Sequence, residues 1–121
     1  MARILIIDDD AGMRRTLSRM LCNGGHEVIE AQDGAEGMQK FRTGRPDIVV
    51  TDILMPEKDG IETILDLRRE NPTLGILAIS GRAINSPSYL GFAQRLGADG
   101  ILAKPFRATD LLREIDKLLP Q

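Results

Sequence analysis

Five short apolar runs, each followed by a segment of helical period, constrain the fold of this chain more than any other feature. They are Arg3–Ile7, Glu27–Ala31, Ile48–Thr51, Gly75–Ile79 and Gly100–Ala103. Ile4–Ile7, Ile48–Val50 and Ile76–Ile79 are almost unbroken Ile, Leu and Val. A strand of that kind needs apolar cover on both faces, as in a parallel sheet. Parallel neighbours need a crossover, usually a helix, and the crossover is right-handed. Strand–helix units repeated five times therefore predict an α/β fold with a five-stranded parallel sheet between two layers of helices. The 121 residues suffice for one such domain, spanning 1–121, and not for two.

The helical segments carry their own signals. Met13, Leu17, Met20 and Leu21 form an apolar stripe, with Arg14, Arg15 and Arg19 for the wet side, and Gly24-Gly25 supplies a left-handed stop. Asp33 with Glu36 three residues later resembles a capping box opening a helix to about Phe41. Ile61, Ile64 and Leu65 give a third stripe, closed before Asn71-Pro72. A further helix is expected from Ser86-Pro87-Ser88 to Leu96, with Gly91 weakening it. Leu111, Leu112, Ile115, Leu118 and Leu119 give the clearest stripe.

Composition narrows the function classes. With 42% hydrophobic and 28% charged residues the chain is globular rather than disordered. A net charge of −2 offers no attraction to nucleic acid or an anionic membrane. One cysteine, Cys22, permits no internal disulfide, fits a reducing cytoplasm and reads as a small core or half-buried helix residue. No apolar run approaches the ~20 residues of a membrane span. Met1–Ile7 is too short for a secretory signal and runs into three aspartates.

Sheets of this class bind ligands beyond the carboxyl ends of their strands. Asp8 and Asp9 follow the first strand, Asp52 ends the third, Ser80 follows the fourth and Lys104 follows the fifth. Each has a plain alternative: a helix cap at Asp8–Asp10, turns at Asp52 and Ser80-Gly81, a surface loop at Lys104-Pro105. Their joint arrival at one sheet edge is what points to chemistry. Like charges about 4 Å apart cost on the order of 4 kcal/mol at an effective dielectric of 20. Lys104 offsets only one of three carboxylates, so a hard divalent ion is needed, and Mg²⁺ suits a few oxygen ligands and a phosphate oxygen. Asp52 is then placed to attack a phosphoryl group, Lys104 to neutralise its oxygens and Ser80 to donate a hydrogen bond to one.

Ile6-Ile7-Asp8-Asp9, Asp52-Ile53-Leu54-Met55-Pro56-Glu57-Lys58-Asp59-Gly60 and Lys104-Pro105-Phe106, with Ser80-Gly81 between, resemble the receiver domain of two-component response regulators. The resemblance covers essentially the whole chain. It implies a flavodoxin-like fold with strand order 2-1-3-4-5 and Asp52 as phosphoacceptor. It implies Mg²⁺ held by Asp8, Asp9, Asp52 and the Leu54 main-chain carbonyl, and phosphoryl contacts from Lys104 and Ser80. A cis Lys104–Pro105 peptide is also implied, with Asp10 tilted toward helix capping. The donor would be a sensor histidine kinase or a histidine phosphotransfer protein, docking over the first helix and the loop after Lys104 near Met13, Arg14 and Phe106. The output would leave through the helix expected over Ser86–Leu96, the fifth strand and the last helix, to an output domain, a partner or a second copy.

Two departures from the family pattern stand out. Leu102 occupies the position, two before the lysine, where an aromatic switch residue is usual. Leu54, two after the acceptor, offers no side-chain hydrogen bond to orient water, which predicts slow self-dephosphorylation. An alternative is a haloacid-dehalogenase-type phosphatase using Asp8-x-Asp10, but Gly12 replaces the Thr or Val expected there and no cap domain fits the length. A second is an interaction-only module, for which the full acidic set has no use. A third is the receiver of a longer regulator. His26, following Gly24-Gly25, reads as a solvated loop residue.

Overall fold

The computed structural model describes residues 1–53, 60–80 and 97–119, and the backbone but not the side chain of Ser80. Five parallel strands, β1 (Arg3–Ile7), β2 (Glu27–Ala31), β3 (Ile48–Asp52), β4 (Gly75–Ser80) and β5 (Gly100–Ala103), form one sheet in the order β2-β1-β3-β4-β5. The helices among the described residues are α1 (Ala11–Asn23), α2 (Gly34–Gly44), α3 (Gly60–Glu70) and α4 (Ala108–Leu118). The helix expected over Ser86–Leu96 and the Leu54 carbonyl lie outside the described residues.

Alternation along the strands sorts the core into two layers. Ile4 and Ile6 of β1, Ile48 and Val50 of β3, and Leu77 and Ile79 of β4 pack with Leu17 and Leu21 of α1 and Leu111 and Ile115 of α4. Leu5 and Ile7, Val49, and Ile76 and Ala78 pack on the other face with Met38 and Phe41 of α2 and Ile64 and Leu67 of α3. Every residue of β3, the central strand, is buried, which explains why its sequence shows no polar alternation.

Helix ends are set by local chemistry. Asp10 caps α1 by accepting from the Gly12 and Met13 amides, and Gly25, at φ 88°, provides the left-handed turn after it. Asp33 accepts from the Glu36 amide, while Glu36 reaches back to the Gln32 amide rather than closing the box on Asp33. Helix α2 runs three residues past Phe41 and ends on Arg45, which adopts φ 47° despite preceding Pro46.

Four expectations are corrected. Leu65 is 39% exposed and Leu67 carries the buried position of α3 instead, because the buried face runs through Gly60, Thr63, Ile64 and Leu67. Cys22 lies exposed on α1, one residue past the buried Leu21 and off the stripe. His26 is half-buried, its Nδ1 accepting from the Ala2 amide at 3.0 Å, and so ties the start of β1 to that of β2. Arg14, assigned to the wet side, turns inward against Asp8 and Glu30.

Candidate functional site

The sheet register brings the site together. Ile7 pairs with Thr51, and Asp52 pairs with Ile79. Asp8 and the end of β3 therefore leave the sheet side by side. Ser80 pairs with Ala103, so Lys104 emerges beside the end of β4. By strand parity Asp8, Asp52 and Lys104 each continue a row that faces α1 and α4: Ile4-Ile6, Ile48-Val50 and Leu102.

Oxygen atoms of Asp8, Asp9 and Asp52 all lie within 4.8 Å of one another. Lys104 Nζ stands 3.1 Å from Asp52 Oδ2 and 4.0 Å from Asp8 Oδ2. Asp8 is 1% and Asp52 8% exposed, whereas Asp9 is open to solvent. Asp8 Oδ1 accepts from the Asp10 amide at 2.9 Å. Asp8 Oδ2 is buried and has no hydrogen-bond partner among the described residues. Such an oxygen is costly to leave unsatisfied.

Burial, above all, pushes the Asp8 carboxyl up from its ordinary 3.8 to about 6. The Asp10 amide opposes this, the Asp52 charge adds to it, Lys104 opposes and Asp9 adds. Among the described residues, three carboxylates face one ammonium, which leaves the cleft net negative. An all-oxygen donor set that includes a buried oxygen with no hydrogen bond among the described residues suits a hard divalent cation. Asp10 is turned away into the cap of α1 and contributes nothing to a second catalytic pair with Asp8.

The close approach of α3 supports the end of β3. A side chain at Gly60 would collide with the Asp52 carbonyl and lie 2.5 Å from Ile53 Cα. The Gly60 amide donates to the Ile53 carbonyl at 2.8 Å, fixing where the chain returns from residues 54–59. Lys104–Pro105 is cis, as the sequence resemblance implies. Beside Lys104 an apolar groove of about 450 Å³ is lined by Met13, Thr16, Met20, Lys104, Pro105 and Phe106.

Fold and site together define a doubly wound α/β domain whose strand ends form an acidic, lysine-bridged cleft able to hold a cation. The family model of the response regulator receiver domain matches residues 4–116. The chain is 40% identical over 117 residues to response regulator MprA of Mycobacterium sp. (strain KMS), covering 97% of this chain and 50% of that protein. It thus spans about half the length of the curated relatives it matches. Among solved structures it is similar to chemotaxis protein CheY4 of Vibrio cholerae, with a TM-score of 0.92, 31% identity, and coverage of 98% of this chain and 99% of that one. NtrX from Brucella abortus superposes with a TM-score of 0.91 at 28% identity, covering 98% of this chain and 27% of that one. The chain belongs to the response regulator receiver domain family.

Proposed function

We propose that this domain, residues 1–121, is a phosphorylation-driven signalling switch in which Asp52 accepts a phosphoryl group from a phosphohistidine. The observation that carries the reading is the cleft itself: Asp52 Oδ2 3.1 Å from Lys104 Nζ, beside the unpartnered, buried Asp8 Oδ2. Asp8, Asp9, Asp52 and the Leu54 carbonyl would hold Mg²⁺, which when bound neutralises oxygens of the transferring group. A carboxylate oxygen of Asp52 forms the new bond to phosphorus. The bond from phosphorus to the donor imidazole nitrogen breaks, and that nitrogen keeps the electron pair. Lys104 exchanges its contact with Asp52 for a phosphoryl oxygen, and Ser80 supplies a hydroxyl to another. Burial of Asp52 excludes bulk water from the reacting carboxylate.

The donor protein, a sensor histidine kinase or a histidine phosphotransfer protein, docks over the groove between α1 and the Lys104-Pro105-Phe106 loop. Met13 and Phe106 line it, whereas Arg14 is engaged elsewhere. Phosphorylation adds about −1.5 to −2 charges and three acceptor oxygens, which Lys104 and Ser80 bind in preference to the unloaded site. The signal leaves through β5, α4 and the segment over Ser86–Leu96. Its recipient is an output domain or a downstream partner.

Incubation with Mg²⁺ and acetyl phosphate, read by intact mass, tests the reading. One phosphoryl adduct is expected, lost in Asp52→Asn and in EDTA. An adduct that persists in Asp52→Asn would reject Asp52 as acceptor.

A further inference from the structure

Arg14 leaves α1 toward the sheet. Its Nη1 donates to the Asp8 main-chain carbonyl at 2.8 Å, and its Nε lies 3.5 Å from Glu30 Oε1 on β2. The side chain is only 19% exposed. The corner is held from two other directions. The Asp8 amide donates to the Ala31 carbonyl at 3.1 Å, and Lys40 Nζ donates to the Glu30 carbonyl at 2.6 Å.

The carbonyl that Arg14 holds belongs to the peptide joining Asp8 to Asp9. That unit is planar, so fixing its oxygen fixes the direction in which the chain enters Asp9. Both carboxylates flanking this peptide belong to the cluster shared with Asp52. We infer that Arg14 is a positioning residue: braced on Glu30, it orients the Asp8–Asp9 peptide so that both carboxylates converge on a bound cation. The inference rests on the cation reading of the cleft.

A planar guanidinium can serve a carbonyl and a carboxylate at once, which a lysine ammonium does less well. Groups that orient metal ligands are worth about 10- to 100-fold in affinity. The sign separates positioning from charge. Removing a positive group near a cation site strengthens cation binding by electrostatics alone, whereas loss of positioning weakens it.

The test uses the whole chain, stripped with EDTA and titrated with Mg²⁺ by calorimetry, alongside the Mg²⁺ dependence of phosphorylation by acetyl phosphate. Arg14→Met is expected to raise the Mg²⁺ Kd about 10-fold. The KM for Mg²⁺ rises in parallel, while the rate at saturating Mg²⁺ stays near wild type. Arg14→Lys, which keeps a donor for the carbonyl, recovers part of the affinity. Arg14→Gln, a second neutral variant, carries the test if Arg14→Met fails to fold. Wild-type or tighter binding in the neutral variants, with wild type binding Mg²⁺ and Asp9→Asn weakened, overturns the role of Arg14 alone. Absence of Mg²⁺ binding by wild type overturns the cation reading and this inference with it.

Discussion

Replacing Asp8 by asparagine is expected to make the metal-free domain more stable, although the same change removes a carboxylate from the acidic cluster. Asp8 is 1% exposed, and burial pushes its carboxyl up from 3.8 to about 6. A folded-state value above the unfolded one means that the group is tolerated best when protonated. Its contribution is fully present below 3.8 and is lost as pH rises through about 6. At pH 7.5 the ionised group opposes folding by about 3 kcal/mol. Asparagine cannot ionise. Its oxygen can still accept from the Asp10 amide, and its amide nitrogen takes the place of Oδ2, which accepts no hydrogen bond among the described residues. Asp8→Asn should therefore gain about 2–3 kcal/mol at pH 7.5, roughly 6–10 °C in Tm for a domain of this size. The assay is urea and thermal unfolding by circular dichroism in EDTA at pH 4, 5.5 and 7.5, both proteins side by side. The gain should shrink steadily toward pH 4. A variant no more stable than wild type at pH 7.5, or a gain undiminished at pH 4, would refute the reasoning.

Mg²⁺ should raise the Tm of wild type, by the equivalent of about 2–3 kcal/mol at a hundred times its Kd, and should do much less for Asp8→Asn. Scanning fluorimetry with an extrinsic dye across a Mg²⁺ series measures both. Lys104→Met removes the ammonium 3.1 Å from a carboxylate that is 8% exposed. With Lys104 itself 23% exposed, a loss of about 1–3 kcal/mol at pH 7.5 is expected in urea unfolding, together with a weaker phosphoryl adduct by mass. Gly60→Ala forces the start of α3 away from the Asp52 carbonyl and should cost about 1–3 kcal/mol in urea unfolding, with slower phosphorylation by acetyl phosphate. Asp10→Ala deletes the cap of α1 and should cost about 1 kcal/mol while leaving the phosphoryl adduct intact, which separates Asp10 from its neighbours.

β1, β3 and β4 were legible because a doubly covered strand must be apolar throughout; β3 and β4 each extend one residue past the run that marks them. Asp8, Asp9, Asp52 and Lys104 were legible for a related reason. Polar residues at strand ends have nowhere to go but the sheet edge, and the register then decides that they meet. Helical period tells which side of a helix faces the core, but not how far a long side chain at the margin can reach. Arg14 sits on that margin and bends inward, so its partners Asp8 and Glu30, distant in sequence from one another, were invisible. His26 was missed because a turn histidine looks alike whether or not a neighbouring strand offers it an amide. Leu65 and Leu67 differ by only two positions, and the choice between them depends on how α3 is rolled against the sheet.

The shared parity of Asp8 and Asp52 protects the site against misassembly. A one-residue slip of β3 would carry Asp52 toward the α2–α3 layer and, in the same movement, exchange the faces of Ile48, Val49 and Val50. A misplaced Asp52 thus does not arise alone in an otherwise correctly packed domain. It arrives with the apolar rows of β3 exchanged between the two layers, so the packing of the core and the placing of this carboxylate are checked in the same act of folding.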